Sequence, residues 1–328
     1  MTVMNARRLI PTATLAGAVT LGLVALSACS SSDAADQKSG DKLAVTASFY
    51  PMEFLAQQIG GDHVSVTTLT KPGVEPHDLE LKPRQTAELG ESDVILYLKG
   101  IQPAVDKAID QSGVGQIVDA ASLTALEKHG TEVGHVHGGD EHSADEHAAE
   151  EGTPDGNDPH IWLDPVKYAE VAQGVGAALE KADPDNADAY RKNTDALVGK
   201  LGALDTAFKQ GLTDTSTKTF ITTHAAFGYL AERYGLEQEA IAGIDPEAEP
   251  SPARIKELET IAKQDKVSTV FFETLASDRT AKTIAADSGL KTDVLDPLEG
   301  ITDRSKGDDY IEVMQANLAA LQKALGAK

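Results

Sequence analysis

Three histidines stand at positions where a folded chain presents side chains to a ligand. His77 ends a Pro/Gly-rich run, Lys71-Pro72-Gly73-Val74-Glu75-Pro76-His77-Asp78. His160 lies between two Asp-Pro dipeptides in Asp158-Pro159-His160-Ile161-Trp162-Leu163-Asp164-Pro165, which holds the only Trp. His224 directly follows the apolar run Thr219 to Thr223. Two carboxylates, Asp296 and Glu299, share a similar position in Asp296-Pro297-Leu298-Glu299-Gly300. Neutral imidazole nitrogens plus one carboxylate oxygen form an ordinary tetrahedral set for zinc. Three imidazoles and a water would instead make a catalytic zinc, although the sequence has no His-Glu-X-X-His helix. The candidates are too far apart in sequence for any local motif, so the fold must gather them.

The elements that would do so alternate. Leu43 to Ser48, Val64 to Leu69, Val94 to Leu98 and Gln116 to Asp119 read as short strands, with helices over Met52 to Ile59, Pro83 to Leu89 and Pro103 to Asp110. A second series has strands at Thr219 to Thr223, Leu236 to Ala242, Val270 to Phe272 and Thr292 to Leu295. Its helices are Ala226 to Tyr234, Ala253 to Gln264, Arg279 to Ser288 and Tyr310 to Leu325. Short strands alternating with helices predict α/β architecture: two lobes, each a roughly four-stranded parallel sheet. In such sheets ligands bind beyond the carboxyl ends of the strands, which is where His77, His224, Asp296 and Glu299 fall. Between the series lie a helix over Pro165 to Lys181 and one long helical pattern, 183–211, with Asp183 at its N-cap and Pro184 first. At 1.5 Å per residue the latter would reach about 40 Å and link the lobes. Each Pro in the Asp158–Pro165 stretch biases the Asp before it away from the α region. The stretch is therefore expected to be extended, with Ile161 and Leu163 inward and His160 on the opposite face.

Two segments stand apart. Residues 1–28 carry Arg7 and Arg8, an apolar run from Ala13 to Leu26, and Leu26-Ser27-Ala28 before Cys29, the only cysteine. This reads as a secretory signal ending in a lipobox, with Cys29 as the lipidated first residue of the mature chain. Residues 29–42 then form a Ser/Asp/Gly-rich tether spanning roughly 20 Å. The second segment, 127–158, holds His129, His135, His137, His142 and His147, ten acids and one Lys. With almost no large apolar residue it cannot support a core, so it reads as a mobile acidic loop for weak metal capture. The remaining expected units are an N-terminal lobe over 43–182 and a C-terminal lobe over 212–328. Removing the signal takes Arg7 and Arg8 and moves the formal charge from −23 to −25. Such a chain repels nucleic acid and anionic membrane surface and attracts cations.

These residues together resemble the metal-binding lipoproteins of ABC-type zinc and manganese importers, over essentially the whole mature length. The resemblance is carried by Pro76-His77-Asp78, the Asp158–Pro165 stretch, Thr223-His224-Ala225-Ala226-Phe227-Gly228-Tyr229-Leu230, Phe271-Phe272-Glu273 and Leu295-Asp296-Pro297-Leu298-Glu299-Gly300. It implies two α/β lobes joined by a long helix, with the metal between them held by His77, His160 and His224. The fourth ligand is Glu299 if this chain follows zinc relatives with Pro-Leu-Glu here, or Asp296 if it follows those that use an Asp in this loop. Manganese members tend to have a carboxylate where His224 stands, and nitrogen donors favour zinc over the harder manganese ion. The resemblance thus implies an extracytoplasmic, lipid-anchored, monomeric carrier that delivers Zn2+ to the membrane subunit of an ABC permease and is not an enzyme. The alternatives are manganese or another divalent metal in the same class, a zinc hydrolase or hydratase, and surface adhesion through the acidic loop.

Overall fold

Short strands followed at once by helices account for most of the chain in the computed structural model, which describes residues 42–129 and 156–327. In order come β1 (Leu43–Ala47), α1 (Tyr50–Gly60), β2 (Val64–Thr68), α2 (Pro83–Leu89), β3 (Val94–Tyr97), α3 (Pro103–Ser112) and β4 (Ile117–Asp119). Helices α4 (Pro165–Ala182) and α5 (Ala187–Gly211) follow. The second half has β5 (Thr219–Thr222), α6 (Gly228–Tyr234), β6 (Glu237–Ala240), α7 (Pro252–Gln264), β7 (Thr269–Phe272), α8 (Arg279–Ser288), β8 (Lys291–Val294) and α9 (Tyr310–Leu325). Each half forms one four-stranded parallel sheet, ordered β2-β1-β3-β4 and β6-β5-β7-β8. Both orders reverse direction between the first and third strands, and that switch point leaves a crevice at the strands' carboxyl ends.

The central strands β3 and β5 are buried at every position, as expected for parallel strands covered on both faces. Their side chains alternate between two environments. Val94, Leu96, Phe220 and Phe271 join a core shared by the two halves, together with Trp162, Tyr190 and Leu295. Ile95 joins a smaller cluster with Val105 in the first half, and Ile221 and Val270 join one with Leu258 in the second. The lobes thus close over a common core and each keeps a private one. Helix α5, 25 residues and about 38 Å long, lies in the shared core through Tyr190, Leu197, Leu201, Leu204 and Phe208. It packs on α1, α4 and α9.

Two local expectations need correction. Asp183 is the N-cap with Pro184 first, but the turn it opens, Pro184–Asn186, is 3₁₀, and the α-helix proper begins at Ala187. The Asp183 carboxylate accepts from Asn186 Nδ2 and Tyr190 Oη, both at 2.7 Å, rather than capping backbone amides. The peptide around His160 is not an extended strand either. Ile161–Leu163 is a 3₁₀ turn, and all three residues are buried along with His160. Asp164 is extended, and its carboxylate caps α4 by accepting from the Val166 amide at 2.9 Å. A 3₁₀ turn eclipses side chains at i and i+3 instead of alternating them, so apolar residues and His160 can all turn inward.

Candidate metal centre

Four loops deliver the site. His224 lies just past the end of β5, two residues after Thr222. Thr222 Oγ1 and Gln238 Nε2 donate to the His224 carbonyl at 2.8 and 3.0 Å, which fixes its backbone. Glu273 follows β7 directly, so it faces His224 across the switch point, and its Oε1 lies 2.6 Å from His224 Nδ1. Thr223 Oγ1 donates to the same oxygen. His160 is placed by its own turn: Asp158 Oδ1 accepts from the His160 amide at 2.9 Å and lies 2.7 Å from Nδ1. Trp162 pins that turn, donating from Nε1 to the Pro297 carbonyl at 2.7 Å while its own carbonyl accepts from Tyr310 Oη at 2.5 Å. His77 comes from the loop after β2, where its amide donates to Glu75 Oε1 at 3.2 Å.

Glu299 closes the group. Its Oε1 lies 3.3 Å from His77 Nε2, 3.3 Å from His160 Nε2 and 3.2 Å from His224 Nε2. With bonds of 2.0–2.1 Å, the edge of a tetrahedral zinc site is about 3.3 Å. The carboxylate oxygen therefore sits one tetrahedral edge from all three nitrogens. His160, His224 and Glu299 are fully buried and His77 is 9% exposed. The Nε2 atoms of His160 and His224 and Glu299 Oε2 find no hydrogen-bond partner in the protein, although such buried atoms are normally satisfied. A cavity of about 130 Å³ reaches Glu299 between Tyr50 and Glu53 of α1 and the Thr70–Pro72 segment.

The electrostatics set raised imidazoles against a depressed carboxylate. Burial alone would lower the His224 imidazole, but the Glu273 and Glu299 carboxylates outweigh it and hold it well above its ordinary value. Burial likewise opposes charge on His160, and Asp158 overcomes it to raise the imidazole. Burial would raise Glu299, yet the charge on His224 and the close imidazole nitrogens of His160, His224 and His77 keep it well below the usual carboxylate range. Glu75 runs the other way: burial first, then the charge on Glu299, push its carboxyl up to about 9.

The structure gathers His77, His160, His224 and Glu299 and leaves Asp296 outside. Asp296 instead shapes the loop. Its Oδ1 accepts from the Leu298 amide at 2.9 Å, and its Oδ2 accepts from Ser305 Oγ at 2.8 Å and Thr274 Oγ1 at 3.2 Å. Within this loop Leu298 adopts a positive φ of 59°. His129 lies outside this group, against Tyr229 and Glu232. Cys29, His135, His137, His142 and His147 fall outside the described residues. Sequence reasoning missed the roles of Asp158 and Glu273. A signal existed for both: Asp158 is two residues from His160, and Glu273 ends an apolar strand as His224 nearly does.

A family profile described as "Zinc-uptake complex component A periplasmic" matches residues 45–324. The high-affinity zinc uptake system protein ZnuA of Bacillus subtilis is 38% identical over 312 residues, covering 93% of this chain and 95% of that protein. The zinc-binding lipoprotein AdcA of Streptococcus pneumoniae serotype 4 is 36% identical over 292 residues, 88% of this chain; the match spans only 57% of AdcA. The crystal structure of the Zn(II)-bound ZnuA-like domain of that species' AdcA superposes with a TM-score of 0.70 at 34% identity, covering 87% of this chain and 99% of that domain. The chain belongs to the ZnuA family of zinc-uptake components.

Proposed function

We propose that this protein captures one Zn2+ between its two halves through His77, His160, His224 and Glu299 and delivers it to the membrane subunit of an ABC-type permease. The observation that carries this reading is Glu299 Oε1, at 3.2–3.3 Å from three imidazole nitrogens that converge in a buried site. The three nitrogens select a borderline ion over manganese. The carboxylate completes four-coordination and leaves no position for an activated water, so the site does no covalent chemistry. Burial of the ligands suits a carried ion, because release then requires a change in the protein. The relatives named as lipoprotein and periplasmic component support an extracytoplasmic place for the chain. Lipidation of Cys29 anchors it there beside its permease, and it works as a monomer.

Metal analysis of the purified mature protein under zinc and manganese competition tests the reading. One tightly held zinc that excess manganese does not displace is the expected result; preferential retention of manganese would sink it. Cys29→Ser should move the protein from the membrane to the soluble fraction, and unchanged membrane fractionation would refute the anchor.

A further inference from the structure

We infer that Glu127, His129 and Glu232 form a second divalent-metal site, whose histidine is oriented by the free oxygen of the same carboxylate that orients His160. A ring nitrogen of His129 and one oxygen from each Glu lie within 4.8 Å of one another. His129 Nε2 is 2.6 Å from Glu232 Oε2. One nitrogen and two oxygens suit zinc or a similar borderline ion.

The charges there are unbalanced. Lys167 Nζ lies 2.6 Å from Glu127 Oε1, and Arg233 and Asp164 pair with each other at 2.6 Å beside a cavity of about 260 Å³. Two carboxylates, Glu127 and Glu232, then share one ammonium. The second observation is Asp158 itself. It is fully buried, and its Oδ1 is taken by His160. Its Oδ2 has no hydrogen-bond partner and lies 3.5 Å from His129 Nδ1, which is also unpartnered. A histidine that gives Nε2 to a metal carries its proton on Nδ1 and presents it to a carboxylate, and Oδ2 is placed to receive it.

The backbone is built around this contact. The Asp158 amide donates to the Glu127 carbonyl at 2.8 Å, so the chain leaves and returns at one point. Tyr229 Oη accepts from the Glu127 amide at 2.8 Å, donates to the Asp158 carbonyl at 2.7 Å, and its ring meets His129 edge-on at 4.4 Å. Gly228 makes the room: a Cβ there would lie 2.2 Å from the His129 Cβ and 3.0 Å from Asp158 Oδ2. The site stands at the root of the segment carrying the four other clustered histidines, and Asp158 joins it to the primary ligand His160.

The test is a zinc titration of the full chain with His135, His137, His142 and His147 all changed to Ser. Two equivalents are expected, one tight and one weaker. Glu232→Gln, at a largely exposed side chain that the fold does not need, and His129→Ala should each remove only the weaker one. A single equivalent in the parent, or a weaker equivalent that survives both substitutions, would overturn the proposal. The tight equivalent is scored separately in the same titration, so failure of the primary site would be distinguishable.

Discussion

The two halves of the molecule share one sheet order but support their ligands differently. In the second half everything comes from strand ends: His224 after β5, Glu273 after β7, and the Glu299 loop after β8. His224 and Glu273 meet across the switch point at 2.6 Å. In the first half, His160 is oriented by Asp158, two residues away in the same turn. His77 hangs from the loop after β2, whose residues Lys71–Val74 are exposed, and it is the only ligand with measurable exposure. A ligand held by a buried carboxylate belongs to the folded core. A ligand on an open loop belongs to the binding site alone.

That contrast sets the largest expected effect. His224→Ala and His160→Ala remove a zinc ligand and also leave Glu273 or Asp158 buried without its partner. Zinc affinity should fall by more than about 100-fold, and the metal-free protein should lose about 3 kcal/mol or more, as when a buried ion pair is broken from one side. His77→Ala should weaken zinc yet leave the metal-free melting curve nearly unchanged. Calorimetry with thermal melts compares the three, and an equal melting loss in His77→Ala would erase the distinction.

Next in size are the orienting carboxylates. Glu273→Gln and Asp158→Asn keep the shape but weaken the hold on each imidazole's Nδ1 proton. Substitutions of this kind cost about 10- to 100-fold in metal affinity. Zinc competition against a chelator measures it, and wild-type affinity in both variants would show that the imidazoles orient themselves.

How much of this was legible beforehand depended on range. The strands and helices followed from apolar periodicity, and His77, His160, His224 and Glu299 from their places after strands and turns together with the family resemblance. The turn at Ile161–Leu163 was not legible, because a short apolar run flanked by Asp-Pro suits a strand and a 3₁₀ turn equally. Asp183 was misjudged because Asn186 and Tyr190 compete for its carboxylate, and the choice depends on where the Tyr190 side chain packs. The link from Glu127 and His129 to Glu232 crosses about a hundred residues and needs Gly228 to admit it, which no local pattern encodes.

A smaller effect is in pH. His160 and His224 are raised above their ordinary value near 6.5, so the stability they give the metal-free protein is fully present below about pH 6.5 and is lost as pH rises through their raised values. Glu299 is depressed, so its contribution is present above about pH 4.5 and is lost as pH falls through its lowered value. Zinc needs the imidazoles deprotonated and displaces their protons. The melting-temperature gap between zinc-loaded and metal-free protein should therefore widen from about pH 5.5 to about pH 8.5. Paired melts across that range check this, and a constant gap would mean that the imidazoles of the metal-free site are already neutral.

The smallest effect on zinc is expected at Asp296, the residue closest to Glu299 in role on sequence grounds alone. Leu298 adopts φ of 59° while fully buried, a backbone state that costs about 1–3 kcal/mol and persists only where its surroundings enforce it. Asp296 supplies that enforcement. It takes the Leu298 amide, while Asn317 holds the Asp296 backbone from both sides, Nδ2 donating to its carbonyl at 2.7 Å and Oδ1 accepting its amide at 2.9 Å. Asp296→Ala leaves the Leu298 amide, Thr274 and Ser305 short of an acceptor and should cost about 1–3 kcal/mol of stability. Glu299 remains tied to three imidazoles, so zinc affinity should fall by less than about 10-fold, below the loss expected for the orienting carboxylates. Glu299→Ala reverses the pattern, leaving three imidazoles and a water with the Asp296 turn intact. Zinc titrations and melts of the two variants decide between them. A large affinity loss in Asp296→Ala with none in Glu299→Ala would hand the fourth position to Asp296.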